Sequence, residues 1–239
     1  MSDINEAMIF AAGFGKRMYP LTKKVPKPLL KVNGKPIICY IIEDLLNLNF
    51  KNIVINTHHL SEKFYDELKP YSKKVKIIFE EKILDTGGGF LNAINKDYFN
   101  NLNSPKVLIN GDVLWRTSSS SLSPIENILR NWKYEKMDLL LCLIKKKKFF
   151  GYRGKGDFNL NEPQKEISRI SLKPQKDFVF SGLQLVKPKL LKKKKEKKFS
   201  MRDIFFSNIK NKVYGINDKN EWYHISEPDD LKNINNLQI

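Results

Sequence analysis

Cysteine, histidine and long apolar runs are all scarce in this 239-residue chain, which carries 2 Cys and 3 His. Cys39 and Cys142 each lie inside an apolar stretch, 37–42 and 139–144, and no Cys-x-x-Cys pair exists. Nothing therefore argues for a zinc site or a disulfide framework, and the two read as small buried hydrophobes. With no apolar run of about 18 residues, no membrane span is expected, and the N-terminus lacks the cationic-then-apolar pattern of a secretory leader. A reducing cytoplasm is the expected compartment. Acidic residues are outnumbered too, 26 Asp and Glu against 43 Lys and Arg, for a formal charge of +17. Such an excess suits an anionic partner, and nucleic acid is the first to weigh. Its densest tracts, residues 145–148 and 192–198, lack interleaved aromatics and adjoin no nucleic-acid motif. They read as solvated loops or turns, and no nucleic-acid partner is expected.

What is present points to a folded chain. Hydrophobic residues at 41% and aromatics at 11% exclude the composition of disorder, so one domain over 1–239 is expected. Residues 8–12 form a short apolar run ended by Gly13, the pattern of a buried strand entering a loop. Pro36 opens a helix in which Ile37, Ile38, Ile41, Ile42, Leu45 and Leu46 recur at helical spacing. A strand at 53–55, a short helix at 61–68 and a strand at 75–79 follow. Residues 85–89 read as a glycine-rich turn before a helix from Phe90, and a strand at 107–109 stops at Asn110, Gly111 and Asp112. This alternation predicts an α/β fold, a mainly parallel mixed sheet with helices on both faces. The loops after Ala12, Phe79 and Ile109 would then converge beyond the carboxyl ends of the strands. Later segments turn β-rich, with strands expected at 139–144, 157–160, 167–172 and 178–186. Ser200 with Asp203, and Ser226 with Asp229, mark two helix starts. Residues 118–121 read as a polar loop, and His58 and His59 as structural.

Gly13-Phe14-Gly15-Lys16-Arg17 follows the first strand, where glycines let the backbone turn sharply and offer its amides to an anion. Two glycine-loop types can be tested directly. A dinucleotide fold asks for a third glycine where Met18 stands, and a P-loop asks for Ser or Thr where Arg17 follows Gly15-Lys16. Neither fits.

More specific is the whole run Ala11-Ala12-Gly13-Phe14-Gly15-Lys16-Arg17-Met18-Tyr19-Pro20-Leu21-Thr22, followed by Pro26-Lys27-Pro28-Leu29. It resembles the opening motif of the sugar-phosphate nucleotidyltransferases, and the resemblance extends along essentially the whole chain. This implies a single Rossmann-like domain, with a nucleotide-binding half at about 7–115 and a β-rich, sugar-binding half at about 138–235. It also implies that the loop of Ala11, Ala12, Gly13 and Gly15 wraps the triphosphate, that Arg17 contacts phosphates and that Lys27 reaches the reacting phosphate. Arginine supplies a fixed fork of donors, and lysine a compact charge that follows a moving phosphate. Asp112 matches the family's metal-binding position, where a hard carboxylate suits magnesium. Asp85-Thr86-Gly87-Gly88-Gly89 resembles the loop that surrounds the nucleobase together with residues 11–13, which adds Thr86, Gly87 and Gly88 to the nucleotide-binding set. The implied reaction is in-line attack of a sugar 1-phosphate on the α-phosphorus of an NTP, with pyrophosphate leaving. The attacking phosphate has a second pKa near about 6 and is already ionised, which accounts for the lack of any serine or cysteine nucleophile motif.

Leu84-Asp85-Thr86-Gly87-Gly88-Gly89, Gly154-Lys155-Gly156-Asp157-Phe158 and Phe180-Ser181-Gly182 together resemble the short uridylyltransferases that act on N-acetylmuramate 1-phosphate in peptidoglycan recycling. This implies UTP and that sugar as substrates, with Asn110, Asp157 and Gly182 on the sugar side, in a monomer or small homo-oligomer. Guanylyltransferases for mannose or heptose 1-phosphate share the short architecture and stay open as alternatives. One stretch departs from the pattern. Trp222-Tyr223-His224-Ile225-Ser226-Glu227 stands where many members carry Trp-x-Asp-x-Gly-Thr, so His224 replaces a metal-ligating aspartate. Imidazole is a poorer partner for magnesium than carboxylate. His224 is therefore a second candidate ligand, and a catalytically weak nucleotide-binding homologue is the remaining alternative.

Overall fold

Strands that are apolar on both sides need cover on both sides, and the computed structural model, which describes residues 4–171, 174, 176–209 and 212–237, supplies it. Among the described residues nine strands form one continuous sheet in the order Val75–Phe79, Asn52–Thr57, Glu6–Phe10, Lys106–Asn110, Phe178–Val186, Leu139–Lys145, Val213–Asn217, Ile167–Ser171 and Asn159–Leu160. The first four run parallel. Phe178–Val186 is antiparallel to both neighbours, and Val213–Asn217 pairs parallel with Leu139–Lys145. The sheet is thus mixed but mainly parallel, as the alternation of elements predicts.

Alternation along the first strand divides the core into two layers. Ala7 and Ile9 pack with the Ile37–Asn47 and Pro124–Asn131 helices, whereas Met8 and Phe10 pack with the Asp85–Asn95 and Met201–Asn208 helices. Full burial of one such large apolar side chain stabilises by roughly 1.5–3 kcal/mol, and the central strands collect this on both faces. Cys39 and Cys142 are buried and unpaired. No helix among the described residues is long and apolar enough to cross a membrane.

Several boundaries differ from the sequence reading. Residues 85–89 are not a turn; they open the Asp85–Asn95 helix. Glycine's poor helix propensity disguises this, and packing explains it. Segment 197–199 lies directly on these turns, so a Cβ on Gly88 would stand 2.3 Å from the Lys197 carbonyl oxygen. The last helix is capped one residue later than Ser226 and Asp229 predict: Glu227 is the cap, Pro228 the first residue, and Asp230 accepts the amides of Ser226 and Glu227 at 2.9 Å each. The expected 157–160 strand shortens to Asn159–Leu160, and the 167–172 strand runs to Ser171, with Leu172 outside the described residues. Ser200 and Asp203 form the expected capping box.

A small second sheet joins Val113–Arg116, Glu221–His224 and Phe149–Phe150. Its register sets His224 opposite Val113, one residue beyond Asp112. The C-terminal part of the chain is thereby carried to the end of the Lys106–Asn110 strand.

Candidate active site

The chain leaves the first strand and makes three successive 3-10 turns, Lys16–Met18, Leu21–Lys23 and Lys27–Leu29. Gly15 permits the first: its φ is 62°, and a Cβ there would stand 3.0 Å from Thr22 Cγ2. Thr22 is fully buried and donates its hydroxyl to the Gly15 carbonyl at 2.9 Å. His59 Nε2 meets the Thr22 carbonyl at 3.0 Å, and His58 Nδ1 the Glu80 carbonyl at 2.7 Å. His59 thus braces the loop directly, and both imidazole rings pack against Phe14. From beneath, the Ala11 N–H donates to Asn56 Oδ1 at 3.0 Å, and Asn56 Nδ2 donates to the buried Glu80 Oε1 at 2.8 Å.

This loop, the start of the Asp85–Asn95 helix and the end of the Lys106–Asn110 strand enclose a cavity of about 480 Å³. It brings together Ala11, Ala12, Gly13, Gly15, Arg17 and Lys27 with Thr86, Asn110 and Asp112. Lys27 Nζ meets Asp112 Oδ2 at 2.5 Å, with side-chain exposures of 9% and 34%. Burial opposes charge on Asp112, but the Lys27 ammonium beside it outweighs burial and holds the carboxyl below its ordinary value. Burial and the Lys27 charge push the His224 imidazole below its ordinary value, so it is mainly neutral at pH 7. Arg17 and Ser226 also line an adjoining pocket of about 340 Å³ with His224, Tyr152 and Arg153.

Other residues singled out in the sequence stand behind this surface. Gly87 and Gly88 lie under segment 197–199, where a Cβ on Gly87 would stand 2.3 Å from the Phe199 ring. Gly182 backs Asn110: it sits at a register break between Phe180 and Gln184 with φ 93°, and a Cβ there would stand 2.8 Å from Asn110 Nδ2. Asp157 is not among the cavity-lining residues; it accepts from Arg202 Nη1 at 2.8 Å and from the Phe180 N–H at 3.0 Å. Sequence reading misses several that do line the cavity, among them Asn56, Ile83, Ser226 and Lys198. Lys198 hides at the end of the 192–198 tract, and the only cue is the apolar Phe199 and the helix cap that follow it.

Among the described residues no three His, Cys, Asp or Glu side chains converge to hold a metal ion. Asp112 instead offers one partly exposed carboxylate to the cavity. That donor set fits magnesium, which takes most of its ligands from phosphates and water, and does not fit a zinc-type site.

Residues 6–238 match the Nucleotidyl transferase family. The chain is 25% identical over 233 residues to the N-acetylmuramate alpha-1-phosphate uridylyltransferase of Caulobacter vibrioides, covering 93% of this chain and 92% of that protein. It is 29% identical over 237 residues to the bifunctional protein GlmU of Methanococcus maripaludis, covering 97% of this chain and 54% of the relative, so it spans about half of that protein's length. HddC from Yersinia pseudotuberculosis, solved in complex with GMP-PN, has the same fold, with a TM-score of 0.76 at 21% identity over 98% of this chain and 99% of that one.

Proposed function

Since the chain belongs to the Nucleotidyl transferase family, we propose that it condenses an NTP with a sugar 1-phosphate to give a nucleotide sugar and pyrophosphate. The observation that carries this reading is the convergence of Arg17, Lys27 and Asp112 on one cavity beside the glycine loop. An oxygen of the sugar 1-phosphate attacks the α-phosphorus. A P–O bond forms there as the bond to the β-phosphate bridging oxygen breaks, and the electron pair leaves with pyrophosphate. The nucleophile needs no base, because a phosphate monoester with a second pKa of about 6 is largely ionised at neutral pH. Catalysis reduces to alignment and charge neutralisation, for which Arg17 supplies a donor fork and Lys27 a point charge already extended into the cavity by Asp112. A magnesium ion held at Asp112, with His224 alongside, would supply further charge neutralisation on the phosphates.

The substrates we assign are UTP and N-acetylmuramate 1-phosphate, supported by the Caulobacter vibrioides relative, which the chain matches over nearly its full length. Asn110, backed by Gly182, and Asp157 with Arg202 would border the sugar in the C-terminal half. Guanylyl transfer to mannose or heptose 1-phosphate is the second reading, supported by the fold shared with a protein solved with GMP-PN. A cytoplasmic setting accords with the two unpaired cysteines. Incubating the protein with magnesium and each NTP against a panel of sugar 1-phosphates, with pyrophosphate release as readout, tests both readings. The fastest release is expected with UTP and N-acetylmuramate 1-phosphate. Release with GTP instead would move the substrate assignment, and no release with any pair would defeat the reaction.

A further inference from the structure

Lys198 is a charged residue of the cavity to which the proposed chemistry gives no role. Segment 197–199 docks edge-on against the start of the Asp85–Asn95 helix: the Phe199 N–H donates to the Leu84 carbonyl at 3.2 Å and the Gly88 N–H to the Phe199 carbonyl at 3.0 Å. The Met201 N–H closes the junction on Thr86 Oγ1 at 2.9 Å. Phe199 is buried in the core against Gly87. Lys198, one residue before it, lines the cavity with Ile83, Asp85 and Thr86. Among the described residues Lys198 has no carboxylate partner. Asp85 is the first residue of that helix, and among the described residues only its Oδ1 is engaged, by the Thr86 N–H at 2.6 Å.

Phe10 and Ala11 add apolar surface to the same cavity, a place for a base once the phosphates lie at Arg17 and Lys27. Resting on the nucleotidyl-transfer reading, we propose that Lys198 and Asp85 read the base: Lys198 donates to an exocyclic carbonyl and Asp85 accepts from the adjacent ring N–H. Ammonium is a donor only and ionised carboxylate an acceptor only. Uracil and guanine, with a carbonyl beside a ring N–H, satisfy both. Cytosine and adenine in the same pose set donor against donor and acceptor against acceptor, a mismatch that discriminates strongly when the groups are desolvated.

The test is kcat/KM for UTP, GTP, CTP and ATP with one sugar 1-phosphate, in wild type, Lys198→Ala and Asp85→Asn, alongside calorimetric binding of UMP, GMP and CMP. Wild type should prefer UTP or GTP. Lys198→Ala should lower kcat/KM for the preferred nucleotide roughly 10- to 100-fold, the loss of one charged hydrogen bond, with little effect on CTP and ATP. Asp85→Asn, whose amide also offers a donor, should narrow the ratio of keto to amino nucleotides by about tenfold. An equal loss for all four nucleotides in Lys198→Ala would mark a phosphate contact and overturn the proposal, as would no loss at all. If wild type turns over no NTP, the reaction fails, but the base contact is still decided by binding. UMP or GMP weakened about tenfold by Lys198→Ala with CMP unchanged supports it, and wild type binding all three equally overturns it.

Discussion

Lys27 and Asp112 are paired at 2.5 Å, yet the pair is only half hidden, because the carboxylate side chain keeps 34% exposure. That asymmetry separates function from stability. On the proposed reaction Lys27→Ala removes the charge assigned to the reacting phosphate and should lower kcat by at least about 100-fold. Asp112 would regain water, so the melting temperature should stay within a few degrees of wild type; pyrophosphate release measured beside a thermal melt reads both effects. Asp112→Asn should behave alike. His224 stands one residue across the register from Asp112. His224→Asp would add a hard oxygen donor there, and the magnesium concentration giving half-maximal rate should fall. An unchanged requirement would place His224 outside the metal's surroundings. At this scale Arg17 and Lys27 are legible in the sequence because their motif is contiguous, whereas Lys198 looks like any other lysine of its tract.

Helix starts show local preference and packing in conflict. Propensity alone favours Gly88→Ala by about 1 kcal/mol. The new Cβ, however, would lie 2.3 Å from the Lys197 carbonyl, a backbone atom that no rotamer change can move. Overpacking of this kind costs about 1–3 kcal/mol or more, so the clash wins and the variant should be less stable in urea unfolding. Asp230 caps the last helix. Burial opposes its ionisation, but the amides of Ser226 and Glu227 and the Arg153 guanidinium outweigh burial and hold the carboxyl below its ordinary value. A depressed carboxyl contributes stability above its unfolded pKa of about 3.9 and loses it as pH falls through the folded value. Asp230→Asn should therefore cost about 1–2 kcal/mol at neutral pH. That difference should shrink on acidification below about pH 4, which urea unfolding at the two pH values would reveal. The cap was misplaced by one residue in the sequence because Ser226 and Glu227 are both acceptable caps; Ser226 instead donates its hydroxyl to Asp230 at 3.1 Å.

Across the whole molecule the charge of +17 favours the approach of two anionic substrates to one cavity. Salt screens such a field within about 10 Å at 0.1 M, so kcat/KM should fall as sodium chloride rises while kcat changes little. A rate constant indifferent to salt would confine the excess charge to solubility. The alternation of elements, the two-faced sheet and the glycine loop followed by Lys27 were determined by the sequence itself, since each is a short-range pattern of hydrophobicity, backbone freedom or motif. Only the tertiary structure decided which distant residues share the cavity. Asp112 meets Lys27 across 85 positions, Asp157 turns to Arg202 across 45, and Lys198 reaches the cavity because Phe199 is drawn into the core. These meetings follow from strand order and from packing against glycines, which depend on the whole chain and leave no mark on any local stretch of it.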